Sequence, residues 1–557
     1  AVLLIDVVAI LYESAIIATM KGADLFVRCL EAAGVETMFG VPGEENLAFL
    51  ESIRTSKIRF ITTHDEQSAV FMAAASGRLS GKIGVALSTL GPGATNLVTG
   101  VAYAHLGGMP VLVITGQKPV RTSKQGRFQI VDVVRMMEPI TKYAASIPSA
   151  DRIPSMVHEA IKLAEAERPG AVHLELPEDI AEEQSNVKPI ASEKIRRPIA
   201  GDKAIGLALE AIEKAKSPLV IIGSGANRKL VRKQFRNFLE KTHIPFVSTQ
   251  MGKGVEDESL AEYVGTTALS SGDYVHEAIK ASDCIVMVGH DVIEKPPAFA
   301  QSHQTVIHIN FYPASVDAVY APQLEVVGDI SHTLWVMTEK VRVNKKWDFK
   351  KAKTYKKIMF ESTQEKISSS GFPLKPQRIV ADLRKAVPRD GILSLDNGMY
   401  KLWIARNYPA YEQNSVLLDN ALATMGAGLP VGMSAKLLFP KKPVVVVAGD
   451  GGFMMNVAEL ETAVRLQLDL VVVVLNDSGY GMIKWKQEDS GFKNFGLDFA
   501  NPDFVLLAQS FGAHGRRIER ADEFEPAIAE AIKRGGVHVI DVPIDYSENK
   551  RIGVNKK

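Results

Sequence analysis

Cysteine is almost absent: Cys29 and Cys284 are the only two in 557 residues. They lie far apart in apolar runs, with no spacing that suits a disulfide framework or a zinc site. Two buried free thiols in a reducing compartment, the cytoplasm, are expected. An excess of either charge is absent too, since 65 Lys and Arg stand against 64 Asp and Glu, a net charge of +1. That balance supplies no basic field for nucleic acid and no acidic tail. Basic residues are missing altogether from the apolar stretch Ala1 to Thr19, which instead holds Asp6 and Glu13. A secretory signal needs a basic start, and a transit peptide is rich in Arg. A membrane span of about 20 residues does not accommodate two carboxylates. Met20-Lys21-Gly22 reads as a natural start. Residues 1–19 are therefore set apart as an extension of unknown role, and neither membrane nor nucleic acid is expected as a partner.

What is present is an ordinary globular composition, 46% hydrophobic and 23% charged. At about 150 residues per domain, the length suggests three or four domains. Short β-branched runs recur: GVALS (84–88), PVLVIT (110–115), PLVIIG (218–223), CIVMV (284–288), PVVVVA (443–448) and LVVVVL (470–475). Each is followed by Gly, Asn or Asp or a close equivalent, and helical stretches lie between them. Such runs read as strands buried on both faces, so the class is α/β, with parallel sheets flanked by helices. Two stretches read as linkers. Residues 186–201 hold two prolines and five charges, and 341–376 is rich in Lys and Ser. They leave segments at 20–185, 200–340 and 374–548, each the size of one domain.

The third segment carries the strongest local signal. Gly449-Asp450-Gly451-Gly452 follows PVVVVA, and Asn476-Asp477-Ser478-Gly479-Tyr480 follows LVVVVL, with the two acids 27 positions apart. Residues just past the carboxyl end of a parallel strand are where α/β sheets bind ligands. The glycines let backbone N–H groups approach a phosphate. Two carboxylates there suit Mg²⁺, which takes oxygen ligands and shares them with phosphates. Either motif alone is also a good turn.

This stretch resembles the thiamine-diphosphate-binding motif of the pyruvate decarboxylase and acetolactate synthase superfamily. The resemblance extends through FGVPGEENL (39–47), LGPGATNLVTG (90–100), GQKP (116–119), FQIVD (128–132), RPGAVHLELPEDI (168–180), NGMYKLWIAR (397–406), NALATMGAGLP (420–430) and YGMIKWKQ (480–487). It implies an amino-terminal pyrimidine-binding domain, a central Rossmann-like domain and a carboxy-terminal diphosphate-binding domain. It also implies that Asp450, Asp477 and the Gly479 carbonyl bind Mg²⁺. Pro42, Gly43, Asn96, Gly398, Met399, Met425, Gly451, Gly452, Tyr480 and Met482 are the residues it implies for the cofactor. Met425 matches the bulky residue that wedges between the cofactor rings; by itself it reads equally as a core methionine.

Catalysis by thiamine diphosphate needs its thiazolium C2 to lose a proton. In the family a Glu on pyrimidine N1′ promotes this, and the matching residue is Glu66. Taken alone, Glu66 also reads as an acid at a helix start. Many relatives have Arg-His-Glu where this chain has His64-Asp65-Glu66, so Asp65 sets a second carboxylate beside the first, which disfavours ionisation if it faces its neighbour. Gln129 matches a glutamine that reaches the active site in acetolactate synthases; without the resemblance it is a solvated loop residue. Flavin-dependent relatives carry Arg-Phe-Asp-Asp near the position of Gly289. Residues 289–297 read GHDVIEKPP instead, so FAD is not expected and Gly223-Ser224-Gly225 reads as a tight turn. The implied activity is decarboxylation of pyruvate and its joining to a second pyruvate, giving 2-acetolactate. The alternative is another thiamine-diphosphate-dependent decarboxylase or carboligase acting on a 2-oxo acid. The implied assembly is a homodimer at minimum, extending to a homotetramer.

Overall fold

The structure is a computed structural model that describes residues 19–121, 126–191, 197–291, 293–294, 303–316 and 320–552. Most of the 1–19 extension lies outside the described residues, as do Val292 and residues 295–297 of the segment compared with flavin-dependent relatives.

The chain divides into two compact units, 1–195 and 196–557. The first holds a six-stranded parallel sheet made of β1 (Thr37–Gly40), β2 (Arg59–Thr62), β3 (Gly84–Ser88), β4 (Val111–Gln117), β5 (Ala144–Ser146) and β6 (Ala171–Pro177). Their spatial order is β2-β1-β3-β4-β6-β5. The strands β3, β4 and β6 are buried along their whole length, and β3 and the first half of β4 accordingly read as continuous apolar runs, while β6 buries His173 and Glu175 among its apolar residues. Met20–Lys21 pairs antiparallel with Gln184–Ser185 and joins the two ends of this unit.

The second unit carries two more parallel sheets. The central one contains β7 (Pro218–Ile222), β8 (Phe246–Thr249), β9 (Tyr263–Thr267), β10 (Cys284–Val288), β11 (Thr305–Asn310) and β12 (Leu324–Val327). Its order is β9-β8-β7-β10-β11-β12, the doubly wound order of dinucleotide-binding folds. The third sheet contains β13 (Ile392–Leu395), β14 (Val416–Leu417), β15 (Val444–Gly449), β16 (Leu470–Asn476), β17 (His514–Arg517) and β18 (Val537–Pro543). Its order, β14-β13-β15-β16-β18-β17, repeats the first sheet strand for strand. The first and third segments thus share one topology. The fold is α/β, with three domains built on parallel sheets flanked by helices.

Within the second unit, buried ionic contacts tie the central sheet to the third. Arg406 donates to both oxygens of Asp273, at 2.8 and 3.0 Å. Glu258 accepts from the Ala410 amide at 2.8 Å and pairs with buried Lys253 at 2.7 Å. Paired in this way, the buried charges do not stand uncompensated.

The stretch 341–376 corrects one expectation. It is not a bare linker, for it contains a helix over Lys350–Gln364. Its lysines mask a stripe at Ala352, Tyr355 and Met359, spaced three and four apart, which packs on the central core. A helix needs only that one apolar face.

Candidate functional site

In a parallel sheet the loops at the carboxyl ends of the strands converge where the strand order reverses. In the third sheet that reversal lies between β13 and β15. A cavity of about 240 Å³ opens there. All ten residues of the third segment assigned to cofactor or metal line it: Gly398, Met399, Met425, Asp450, Gly451, Gly452, Asp477, Gly479, Tyr480 and Met482.

Two carboxylates enter this cavity from successive strand ends. Asp450 is buried, accepts from the Gly451 amide at 2.8 Å and receives the Asn501 side-chain amide at 2.8 Å. Burial raises its pKa, against those hydrogen bonds. Asp477 is raised further, to about 7, by burial first and by the charge of Asp450 second, with Lys484 opposing. Among the described residues no group of three His, Cys, Asp or Glu is placed to hold a metal. Any cation here therefore has two carboxylates, with the remaining oxygens coming from backbone or ligand. The glycines are required by close approach. A Cβ on Gly451 would lie 2.8 Å from the Tyr480 ring, and one on Gly452 about 3.1 Å from the Asp396 carboxylate.

Asp396 was not singled out in the sequence. It follows β13 directly, as Asp450 follows β15, but after a shorter and less apolar run. It is fully buried and accepts from the amides of Asn397 (2.5 Å), Gly426 (3.0 Å) and Gly428 (3.2 Å). Burial pushes its pKa up to about 6. Lys401, also unremarked, is a buried cation in the cavity wall, and burial lowers its pKa to about 8. Asn501 comes from an irregular stretch with no periodicity, and nothing in the sequence pointed to it.

The first unit gathers the other candidates at the matching end of its sheet. Glu66 opens the helix Glu66–Ser80, which follows β2. Its side chain is buried, and its Oε2 accepts from Asn96 Nδ2 at 3.0 Å. The neighbouring carboxylate does something else. Asp65 is the N-cap, its Oδ1 accepting from the amides of Gln67 (2.7 Å) and Ser68 (3.3 Å). The N-cap role thus belongs to Asp65, whose carboxylate is directed at the helix amides, while Glu66 lies in the first turn.

Around Glu66 the backbone is tightly packed. A side chain at Gly93 would lie 3.0 Å from Glu66 Oε1, and one at Gly43 would overlap Thr89. Pro42 precedes that glycine in an exposed turn, held from behind by the buried Lys118–Glu45 ion pair at 2.6 Å, with Thr89 donating to Glu45. Gln129 is exposed, with φ at 58°, and its backbone oxygen abuts Gly91. The structure does not place its side chain against Glu66.

In the central sheet the order reverses between β7 and β10, and there the loops that follow the two strands pack on each other through their backbones. Gly225 N donates to Gly289 O at 2.8 Å, and Gly223 N to Val288 O. A side chain on Gly289 would overlap Ala226. Gly223-Ser224-Gly225 is a tight turn. Asp291 and Glu294 are both buried, and Glu294 accepts from Thr249 Oγ1 (2.7 Å) and the Met251 amide (2.6 Å).

Comparison with known proteins gives the same three-part division of the chain. Residues 20–136 match the family described as thiamine pyrophosphate enzyme, N-terminal TPP binding domain. Residues 205–337 match the central domain of such enzymes, and 396–542 match their C-terminal TPP binding domain. An acetolactate synthase of Bacillus subtilis is 34% identical, over 96% of this chain and 95% of its own. A catabolic acetolactate synthase of Raoultella terrigena is 33% identical, over 95% of this chain and 96% of its own. The large subunit of acetolactate synthase isozyme 2 of Escherichia coli is 29% identical, over 95% and 96%. Among the described residues, no helix is long and apolar enough to cross a membrane.

Proposed function

Because this chain belongs to the acetolactate synthase family of thiamine pyrophosphate enzymes, we propose that it decarboxylates pyruvate and joins the two-carbon remainder to a second pyruvate, giving 2-acetolactate and CO₂. The observation that carries this reading is the cavity at the carboxyl ends of the third sheet, with Asp450 and Asp477 at its end and Gly451 and Gly452 in its wall.

The donor set fits Mg²⁺. Buried Asp450 beside half-buried Asp477, whose proton affinity it raises, leaves the pair short of positive charge, and a hard divalent cation supplies it. Asp450, Asp477 and the Gly479 carbonyl would hold the ion. The glycine backbone would approach the diphosphate, while Gly398, Met399, Tyr480 and Met482 would face the cofactor and Met425 would support its bend. When bound, thiamine diphosphate supplies the electron sink that allows carbon dioxide to leave.

On the first unit, Glu66 is the group we assign to the proton at pyrimidine N1′. Its burial and the Asn96 bond fix the carboxylate in place, and Pro42, Gly43 and Asn96 complete that wall. Gln129, displayed on its exposed segment, would meet the 2-oxo acid. Exposed apolar side chains lie beside both sets of residues. Phe128 and Ile130 flank Gln129, and Phe492 and Phe495 follow the helix that holds Met482. Such side chains suit burial against a second copy, which supports a homodimer, extended to a homotetramer. We read 20–185 as the pyrimidine-binding domain, 200–340 as the central domain and 374–548 as the diphosphate-binding domain. The enzyme is read as flavin-free, since residues 289–297 read GHDVIEKPP in place of the Arg-Phe-Asp-Asp stretch of flavin-dependent relatives. It is read as cytoplasmic, since Cys29 and Cys284 are buried free thiols.

The test is to incubate the protein with pyruvate, thiamine diphosphate and Mg²⁺ and to identify the product by mass. Acetolactate is expected. Free acetaldehyde as the main product would favour a simple decarboxylase instead.

A further inference from the structure

The segment that carries Met425 is irregular and conformationally unfavourable. It runs from β14 to the helix Gly428–Leu438. Ala423, two residues before Met425, has φ at 55°. A residue with a Cβ avoids this left-handed region, and one persists there only where its surroundings overdetermine it. Several bonds do so. The Asp419 carboxylate accepts from the amides of Ala421 (3.1 Å) and Ala423 (2.6 Å). The Asn397 side-chain amide donates to the Thr424 carbonyl at 2.6 Å.

Lys401 is what holds these two groups in place. Its Nζ donates to Asn397 Oδ1 (2.6 Å), the Asp419 carbonyl (2.8 Å) and Asn420 Oδ1 (3.3 Å). An ammonium has three protons, and here three acceptors take them. A buried cation in the wall of a cavity that receives a carboxylate substrate invites the reading that it binds that carboxylate. The saturated donors argue against it. What Lys401 does instead is orient the Asn397 amide. With Oδ1 turned to the ammonium, Nδ2 must face Thr424.

We propose that Lys401, acting through Asn397, is a positioning residue that holds the strained 419–426 loop and thereby sets the place of Met425 in the cofactor cavity. The inference rests on the cavity receiving thiamine diphosphate, as argued above.

The full-length protein with thiamine diphosphate and Mg²⁺ is the system for the test. Lys401→Met keeps the bulk and removes the donors. A misplaced wedge costs rate, on the order of 10–100-fold in kcat, because small displacements at a reacting centre are expensive. Pyruvate KM should stay within about threefold, as for an interaction that does not bind the ground state. Calorimetric affinity for thiamine diphosphate should fall by about tenfold on the same reasoning. Adding Ala423→Gly to Lys401→Met should recover a substantial part of both losses, because glycine adopts the left-handed conformation freely. A rise in KM of tenfold or more with kcat near wild type would overturn the proposal in favour of substrate binding. Absence of any recovery by Ala423→Gly would overturn it too. If Lys401→Met does not fold, Asn397→Ala removes the amide that links Lys401 to Thr424, cutting both of its bonds, and carries the same expectations and the same refutations. Should the wild-type protein make no acetolactate from pyruvate, the functional reading fails, while the calorimetric arm still decides the role of Lys401.

Discussion

Two adjacent carboxylates in the first unit should give opposite phenotypes when removed. Glu66→Gln preserves shape, and the new amide oxygen can still accept from Asn96 Nδ2, now 3.0 Å from the carboxylate. Folding and cofactor affinity should survive. What is lost is a group that can take and return a proton. Groups of this kind contribute about 10²–10⁴-fold, equivalent to about 3–5 kcal/mol of barrier. Asp65→Ala removes two cap bonds, at 2.7 and 3.3 Å, from the helix Glu66–Ser80. Loss of an N-cap costs about 1 kcal/mol, which in a separately melting domain of roughly 150–250 residues lowers the melting temperature by roughly 2–4 °C. Its activity should be close to wild type, because that carboxylate is directed at the helix amides. The assay is initial-rate acetolactate formation at saturating cofactor and pyruvate, paired with thermal melts of both variants. Near-normal turnover in Glu66→Gln would remove it from the mechanism. A loss in Asp65→Ala as large as that expected of Glu66→Gln would show that the working carboxylate has been misassigned.

Asp450→Ala should abolish thiamine diphosphate binding in calorimetric titration with Mg²⁺, and Asp477→Ala nearly so; undiminished affinity in both would place the metal elsewhere. The purified protein should be colourless and reach full rate without added FAD, and a flavin absorption band with stoichiometric release on denaturation would refute the flavin-free reading. Glu294 supplies a pH test. Burial raises its pKa from 4.5 to about 7, so the folded protein holds this proton longer than the unfolded chain does. Stability therefore falls as pH rises from 4.5 through 7, by on the order of 3 kcal/mol in all. Glu294→Gln should flatten that decline in thermal melts between pH 5 and 8, and an unaltered pH profile would show that the carboxylate does not carry this cost.

How far the sequence spoke for the structure depended on where each signal was stored. Buried parallel strands are legible because both faces need apolar side chains, so PVVVVA and LVVVVL stand out as β15 and β16. The residue after such a strand lies at the ligand end of the sheet, which made Asp450 and Asp477 legible with it. Asp396 obeys the same rule, but β13 is only four residues long with Ser394 inside it, and so brief a run does not announce itself. Between Asp65 and Glu66 the sequence could not choose, since either acid at a helix start satisfies the same dipole. The backbone angle at Asp65, not the residue type, decides which one caps.

Lys401 marks the limit of sequence reading more sharply. In the helix Met399–Asn407 a lysine reads as a solvent-facing residue, because lysine is almost never fully buried unless paired. Its burial is created by Asp419 and Asn420, eighteen and nineteen residues later, in a loop with no periodicity of its own. That loop is shaped in turn by acceptors that only the folded chain brings to the lysine. A site residue defined by such mutual closure has no local signature. The strained Ala423 beside it, a left-handed residue with a Cβ, is the trace that the closure leaves in the backbone, and it is why the Ala423→Gly rescue can separate positioning of the loop from binding of the substrate.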